Sequence, residues 1–143
     1  MPESQEIISF LTGVHGLCLP AETGRLDQVL NRLDDVMPLL ILPRIHLMPV
    51  KDWEDPRDVQ YAKMKYGLMG FSYKEAAARF GSVLDEVNAL LAEMEKLLEG
   101  PDSVNSWGFG MDDLMALPSL RSLTCVKGIR WPAKVRHWLE VHC

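Results

Sequence analysis

Between Gly110 and Trp138 the chain divides itself into two helices, and the first of them limits the fold more than any other stretch. Met111, Leu114, Met115, Leu117, Leu120, Leu123 and Val126 recur at threes and fours, which spreads apolar side chains around much of a helix instead of along one narrow stripe. Such a helix is central and needs neighbours on several sides. Gly110 stands where an N-cap belongs, and Asp113 follows three residues later. A carboxylate there accepts first-turn amides and faces the positive end of the helix dipole. Gly128 gives the chain a left-handed exit, and Trp131-Pro132 restarts it with proline in a first turn, where its missing N–H costs nothing. The second helix is expected to bury Trp131, Val135, Trp138 and Leu139.

The neighbours lie upstream. From Tyr73 to Glu99 a seam of Val83, Leu84, Val87, Leu90, Leu91, Met94, Leu97 and Leu98 runs opposite Asp85, Glu86, Glu93, Glu95 and Lys96, and Gly100-Pro101 ends it. This is the clearest amphipathic helix in the chain. Another helix starts near Arg25 and carries Leu26, Val29, Leu30, Leu33, Val36, Met37 and Leu40; Pro38 predicts a kink in it and Pro43 a further break. Residues 3–12 read as a short helix with Ile7, Ile8, Phe10 and Leu11, ended by Gly13 and Gly16, after which Cys18 to Gly24 reads as a linker. Met48 to Pro56 reads as a loop, followed by a helix over Arg57 to Leu68 ahead of the long seam, and Ser103 to Gly110 reads as a loop after it. No strand-like alternation and no internal repeat is present, so the class is all-α.

Composition excludes several functions. A formal net charge of -5, with lysines and arginines scattered, argues against a nucleic-acid partner. No apolar run reaches the length of a membrane span. The start, with Glu3 and Glu6 around a short apolar run, does not read as a signal peptide, so cytoplasm is the expected compartment. The cysteines Cys18, Cys125 and Cys143 form no Cys-x-x-Cys and no disulfide framework. Cys125 is expected to be a small buried hydrophobe on the apolar helix, and Cys143 an exposed terminal residue. His15 with Cys18, and His142 with Cys143, match no standard zinc spacing, so no metal is expected. His46 and His137 are isolated and read as solvated or hydrogen-bonded surface residues.

Three groups of residues carry a resemblance. Asp112-Asp113-Leu114, Pro118, Leu120-Arg121-Ser122-Leu123 and Gly128-Ile129-Arg130-Trp131-Pro132 form one; Met1-Pro2-Glu3-Ser4 with Ile7-Ile8 the second; Leu39 to Arg44, Leu-Leu-Ile-Leu-Pro-Arg, the third. Together, and in this order, they resemble the two-domain, glutathione-transferase-shaped bacterial glutaredoxins of the glutaredoxin 2 type. The resemblance implies a glutathione-transferase C-terminal-like helical bundle over residues 21–143. Residues 1–20 would then be the final helix of a thioredoxin-like domain plus a linker. In that family the earlier part of the thioredoxin-like domain carries a Cys-Pro-x-Cys active site, which is absent from this chain.

The implied activity is glutathione-dependent thiol-disulfide exchange, with glutathione as co-substrate. The helical half supports the catalytic half, its partner domain, and shapes the substrate cleft. Glu3 and Ser4 match the acidic-Ser pair that holds the γ-glutamyl end of glutathione. A helix N-terminus offers free amides to a carboxylate, Ser4 adds a hydroxyl donor, and Glu3 can pair with an ammonium. Without the resemblance, Pro-Glu-Ser is simply a favourable helix start. The chain alone is expected to be inactive, and a stand-alone protein-interaction module or an inactive fragment are the alternatives. Self-association is expected through Ile7, Ile8, Phe10 and Leu11, which the absent domain would otherwise cover. In the family the carboxylate at Asp113 closes a capping box with Ser or Thr. Gly110 here removes the hydroxyl half, and a cap of this kind sets the expected cost of Asp113→Ala at about 1 to 2 kcal/mol.

Overall fold

Helix α5 (Tyr73–Leu97) is the longest element and the one packed most extensively against the rest. Ser72 starts it, its Oγ accepting the Glu75 amide at 3.2 Å. Its inward side carries Ala76, Val83, Val87, Leu90, Leu91 and Met94, all buried. The computed structural model describes residues 2–16 and 19–143, leaving out the side chains of residues 2–5. The other described helices are α1 (Pro2–Val14), α2 (Asp27–Val36), α3 (Pro38–Ile45), α4 (Pro56–Leu68), α6 (Met111–Leu123) and α7 (Ala133–His142), with a 3-10 turn at Lys51–Trp53. Among the described residues there is no strand, only an isolated bridge between Asn105 and Gly108. No described helix is long and apolar enough to cross a membrane. Helices α2, α3 and α7 lie on α5, and α6 closes the bundle from the other side against the same three. One core results, joining Leu26, Val29, Leu33 and Leu40 to Leu90, Leu91 and Met94, and both sets to Ala116, Leu120, Leu123, Val135 and Trp138. Each fully buried leucine there contributes about 1.5 to 3 kcal/mol.

The expected helix from Arg25 through Leu40 is two helices. Proline at position 38 becomes the first residue of α3 instead of a kink inside one helix, with Met37 as the shared joint. The break expected at Pro43 does not occur: Pro43 lies inside α3. Proline there deprives the Leu39 carbonyl of its intrahelical donor. Packing compensates, since Leu40 is fully buried, the Arg44 guanidinium donates to the Leu40 carbonyl at 2.6 Å, and the same group lies 4.6 Å over the Phe80 ring of α5.

Three further boundaries differ from expectation. Helix α1 passes through Gly13 to Val14 before turning at Gly16, whose φ is +62°. Helix α6 stops at Leu123, so Val126 and Cys125 lie in the turn beyond it. The Thr124 hydroxyl donates to the Arg121 carbonyl at 2.6 Å and the Ser122 hydroxyl to the Pro118 carbonyl at 2.8 Å. Short polar side chains that take carbonyls in this way compete with helix continuation. Pro132 is the N-cap of α7, extended at ψ 150°, and lies outside the first turn. Its missing local cap is replaced from another helix: Glu95 of α5 accepts the Lys134 amide at 2.9 Å.

The turn before α7 is fixed by α5. Asn88, buried, accepts the Arg130 amide at 2.7 Å and reaches the Gly128 carbonyl at 3.5 Å. Gly128 has φ +100°, and a Cβ there would sit 3.0 Å from Leu84 Cδ2. Both the left-handed backbone and the close approach resist a side chain, so Gly128→Ala is expected to cost about 2 kcal/mol. A fall in the urea midpoint at unchanged slope would measure it, and an unaltered midpoint would contradict it.

Candidate functional site

Helix α6 is covered on only part of its circumference. Ala116, Ser119, Leu120 and Leu123 are buried against the bundle, whereas Leu114 and Met115 remain half-exposed. Their uncovered flank forms a groove of about 380 Å³ with Ile8 of α1, Met37 at the α2–α3 joint, and Pro118, Ser119 and Ser122 of α6. Asp34 stands at its edge and accepts the Ser119 hydroxyl at 3.1 Å. Pro118 lacks an N–H, so the Leu114 carbonyl has no donor four residues on and is left as an acceptor beside the groove. The lining contains neither cysteine nor histidine. A mostly apolar groove with a few hydroxyls suits docking or substrate contact more than chemistry of its own.

Helix α1 flanks this groove without joining the packed bundle. Ile8 faces the groove, while Ile7, Phe10, Leu11 and Val14 are exposed, Phe10 at 69%. Glu3 and Ser4 fall in the first turns of α1, and their side chains lie outside the described residues, as does Cys18.

Two buried carboxylates stand at the start of α6, and one of them holds the residues just ahead of α2. Asp113 is fully buried. One of its oxygens accepts the Val104 amide at 2.8 Å and the Trp138 indole N–H at 2.7 Å; the other accepts the Gly110 amide at 2.9 Å. Gly110 is the N-cap, extended and with no side chain to return the bond, so only the Asp113 half of a capping box exists. Asp112, also buried, accepts the Thr23 amide and hydroxyl at 3.1 Å and the Asn105 side-chain amide at 2.7 Å. The Pro20 carbonyl accepts the Met111 amide at 3.2 Å. Pro20 and Thr23, ahead of α2, are therefore fastened to the first turn of α6. A second tie holds the same region, the ion pair of Arg25 with Glu99, in which the guanidinium's hydrogen bond holds the Glu99 carboxyl below the usual range. Among the described residues no Lys or Arg pairs with Asp112 or Asp113. Amide donors and the helix dipole balance their charge instead.

The sequence pointed to Asp113 and Gly110 and missed Asp112, Thr23, Asn105 and the indole of Trp138. One signal was available, since a buried tryptophan needs an acceptor for its N–H. Cys125 is half-buried in the turn after α6, not on the helix, and its thiol donates to the Ser122 carbonyl at 3.0 Å. Cys143 is exposed. His15 and His137 are exposed; His46 is partly buried, and its pKa is lowered first by burial and then by Lys63. His142 rests against Phe109 and Trp138 and contacts the Asp102 carbonyl at 2.7 Å. No group of three or more potential metal ligands assembles among the described residues.

The family model for the C-terminal domain of glutaredoxin 2 matches residues 25–142. The chain belongs to this family. Glutaredoxin 2 of Escherichia coli, in strain K12 and likewise in O157:H7, is 27% identical over 144 residues, covering 98% of this chain and 66% of the relative. The chain thus spans just under two thirds of the curated relatives it matches. A crystal structure of glutaredoxin 2 from Salmonella typhimurium in complex with glutathione superposes with a TM-score of 0.87 at 25% identity, over 96% of this chain and 64% of that one. The all-α, transferase-type bundle is accordingly that of the glutaredoxin 2 C-terminal half, and the uncovered flank of α6 and the open face of α1 lie free on it.

Proposed function

We propose that this chain serves as the C-terminal helical half of a glutathione-dependent thiol-disulfide oxidoreductase, packing against a thioredoxin-like half and forming one wall of its substrate cleft. The groove between α1 and α6 carries this reading. It is apolar, open, and flanked by a helix whose exposed Ile7, Phe10, Leu11 and Val14 call for a cover. The Salmonella relative is described in complex with glutathione, and Glu3 and Ser4 are the residues here that match the family's γ-glutamyl contact. Residues 1–20 then belong with the thioredoxin-like half, residues 21–143 form the helical domain, and the compartment is the cytoplasm.

The test joins the unmatched third of the Escherichia coli relative ahead of Met1. Binding of an apolar dye, expected for the 143-residue chain, should fall in the hybrid as the face of α1 is covered. Glu3→Ala or Ser4→Ala in the hybrid should raise the apparent KM for glutathione by about tenfold, the worth of one charge-assisted hydrogen bond. A hybrid that keeps the dye binding, or whose KM ignores both substitutions, would refute the reading.

A further inference from the structure

Helix α4 has two apolar faces, and the chain covers one. Val59, Ala62 and Tyr66 turn inward and are buried or half-buried. On the opposite side Tyr61, Met64 and Leu68 recur at three and four with exposures of 61%, 56% and 82%. An amphipathic surface helix needs a single stripe. Among the described elements α4 packs only against the 3-10 turn at Lys51–Trp53, and nothing lies across its outer face.

The charges beside the outer stripe have an order of their own. Asp58 and Lys65 are two turns apart, hence on the same flank of the stripe, one toward each end; the other flank carries Gln60 and Gly67, which are uncharged. Both charged residues are exposed, and neither forms an ion pair among the described residues.

We infer that α4 pairs antiparallel with α4 of a second copy of this chain, about a two-fold axis passing between Tyr61 and Met64. A two-fold interface is self-complementary, so residues from the two halves of the same stripe must face each other. Tyr61 of each copy packs on Met64 of the other, and Leu68 on the stem of Arg57, whose guanidinium is already held by Asp55 at 2.6 Å. In antiparallel helices like flanks meet, so Asp58 of each copy faces Lys65 of the other at both ends. Parallel pairing would set the charged flank against Gln60 and Gly67 and gain nothing. The charge pattern therefore selects both the occupant and its direction. Three apolar side chains per copy place the contact at the small end of interfaces, so the dimer is reversible, with a dissociation constant on the order of 100 μM. The pairing shares no residue with the groove of α1 and α6 and extends beyond the proposed function.

Sedimentation equilibrium of the 143-residue chain, from about 10 μM to about 1 mM, tests this against the dissociation constant above. The expected result is a monomer–dimer equilibrium abolished by Leu68→Glu. Asp58→Lys should weaken it about tenfold, and combining Asp58→Lys with Lys65→Asp should restore it to within about threefold. All three positions are exposed, and circular dichroism melts confirm that each variant folds. A strict monomer at the highest concentration overturns the inference. So does a dimer that survives Leu68→Glu but is lost on Phe10→Glu, which would place association on α1, and so does a double charge exchange that restores nothing.

Discussion

Replacing Asp113 with alanine is expected to lower stability by about 3 to 5 kcal/mol, roughly twice what a helix cap is worth. The reason is the number and burial of its partners. The carboxylate accepts from the Gly110 amide, the Val104 amide and the Trp138 indole at 2.9, 2.8 and 2.7 Å, and the residue has no exposed surface. Truncation leaves three donors without an acceptor, and a buried group left unpaired costs about 1 to 3 kcal/mol. The cavity adds to that, while relaxation and water entry return some. Against a total stability of about 5 to 15 kcal/mol, the loss removes much of the folded margin. Trp138→Phe, which deletes one donor and keeps the ring, isolates the indole bond, and the double substitution should show a coupling of about 1 kcal/mol or more. Denaturant melts of the four proteins give all the terms. A loss confined to about 1 kcal/mol for Asp113→Ala would mean that the residue acts as a cap and nothing further.

The second large effect concerns activity. The 143-residue chain is expected to reduce a mixed glutathione disulfide no faster than free glutathione does. The exchange needs a thiolate placed to attack, usually with a second thiol or a bound glutathione to resolve the intermediate. Cys125 commits its S–H to the Ser122 carbonyl, half-buried, and lies outside the lining of the α1–α6 groove; Cys143 is exposed at the chain's end. Neither stands beside the other or beside the docking groove. Joining the thioredoxin-like segment upstream should raise the coupled rate by at least a hundredfold, on the scale that a positioned nucleophile contributes. The assay couples disulfide reduction to glutathione reductase. Turnover by the short chain that vanishes on Cys125→Ser or Cys18→Ser would make one of those cysteines the nucleophile and end this account.

The helices were legible because their cause is local. The seam from Val83 to Leu98 needs only its own spacing to be recognised, and α5 follows it to within two residues at its far end. What escaped depends on groups distant in the chain. Pro43 reads as a break until Arg44 and Phe80 are seen to support α3 around it. Pro132 reads as a first-turn proline until Glu95, 39 residues earlier, is found accepting the Lys134 amide. Asp113 was legible as a helix-start residue, but its larger role depends on Val104 and Trp138, which no spacing rule connects to it. The half-exposed Leu114 and Met115 could not be told from core by period, since an apolar helix looks the same whether its last neighbour belongs to this chain or to another.

The bond from Thr23 to Asp112 spans 89 residues, and this sets an order of events during synthesis. Helix α1 leaves the ribosome well before α6, whose Asp112 carboxylate holds Thr23. At about 5 to 20 residues per second the interval is roughly 4 to 18 seconds. For that time Thr23 lacks its carboxylate partner and the apolar face of α1 has no bundle beside it. Whatever covers α1 during that wait, a chaperone or an upstream domain, has a long head start over the bundle.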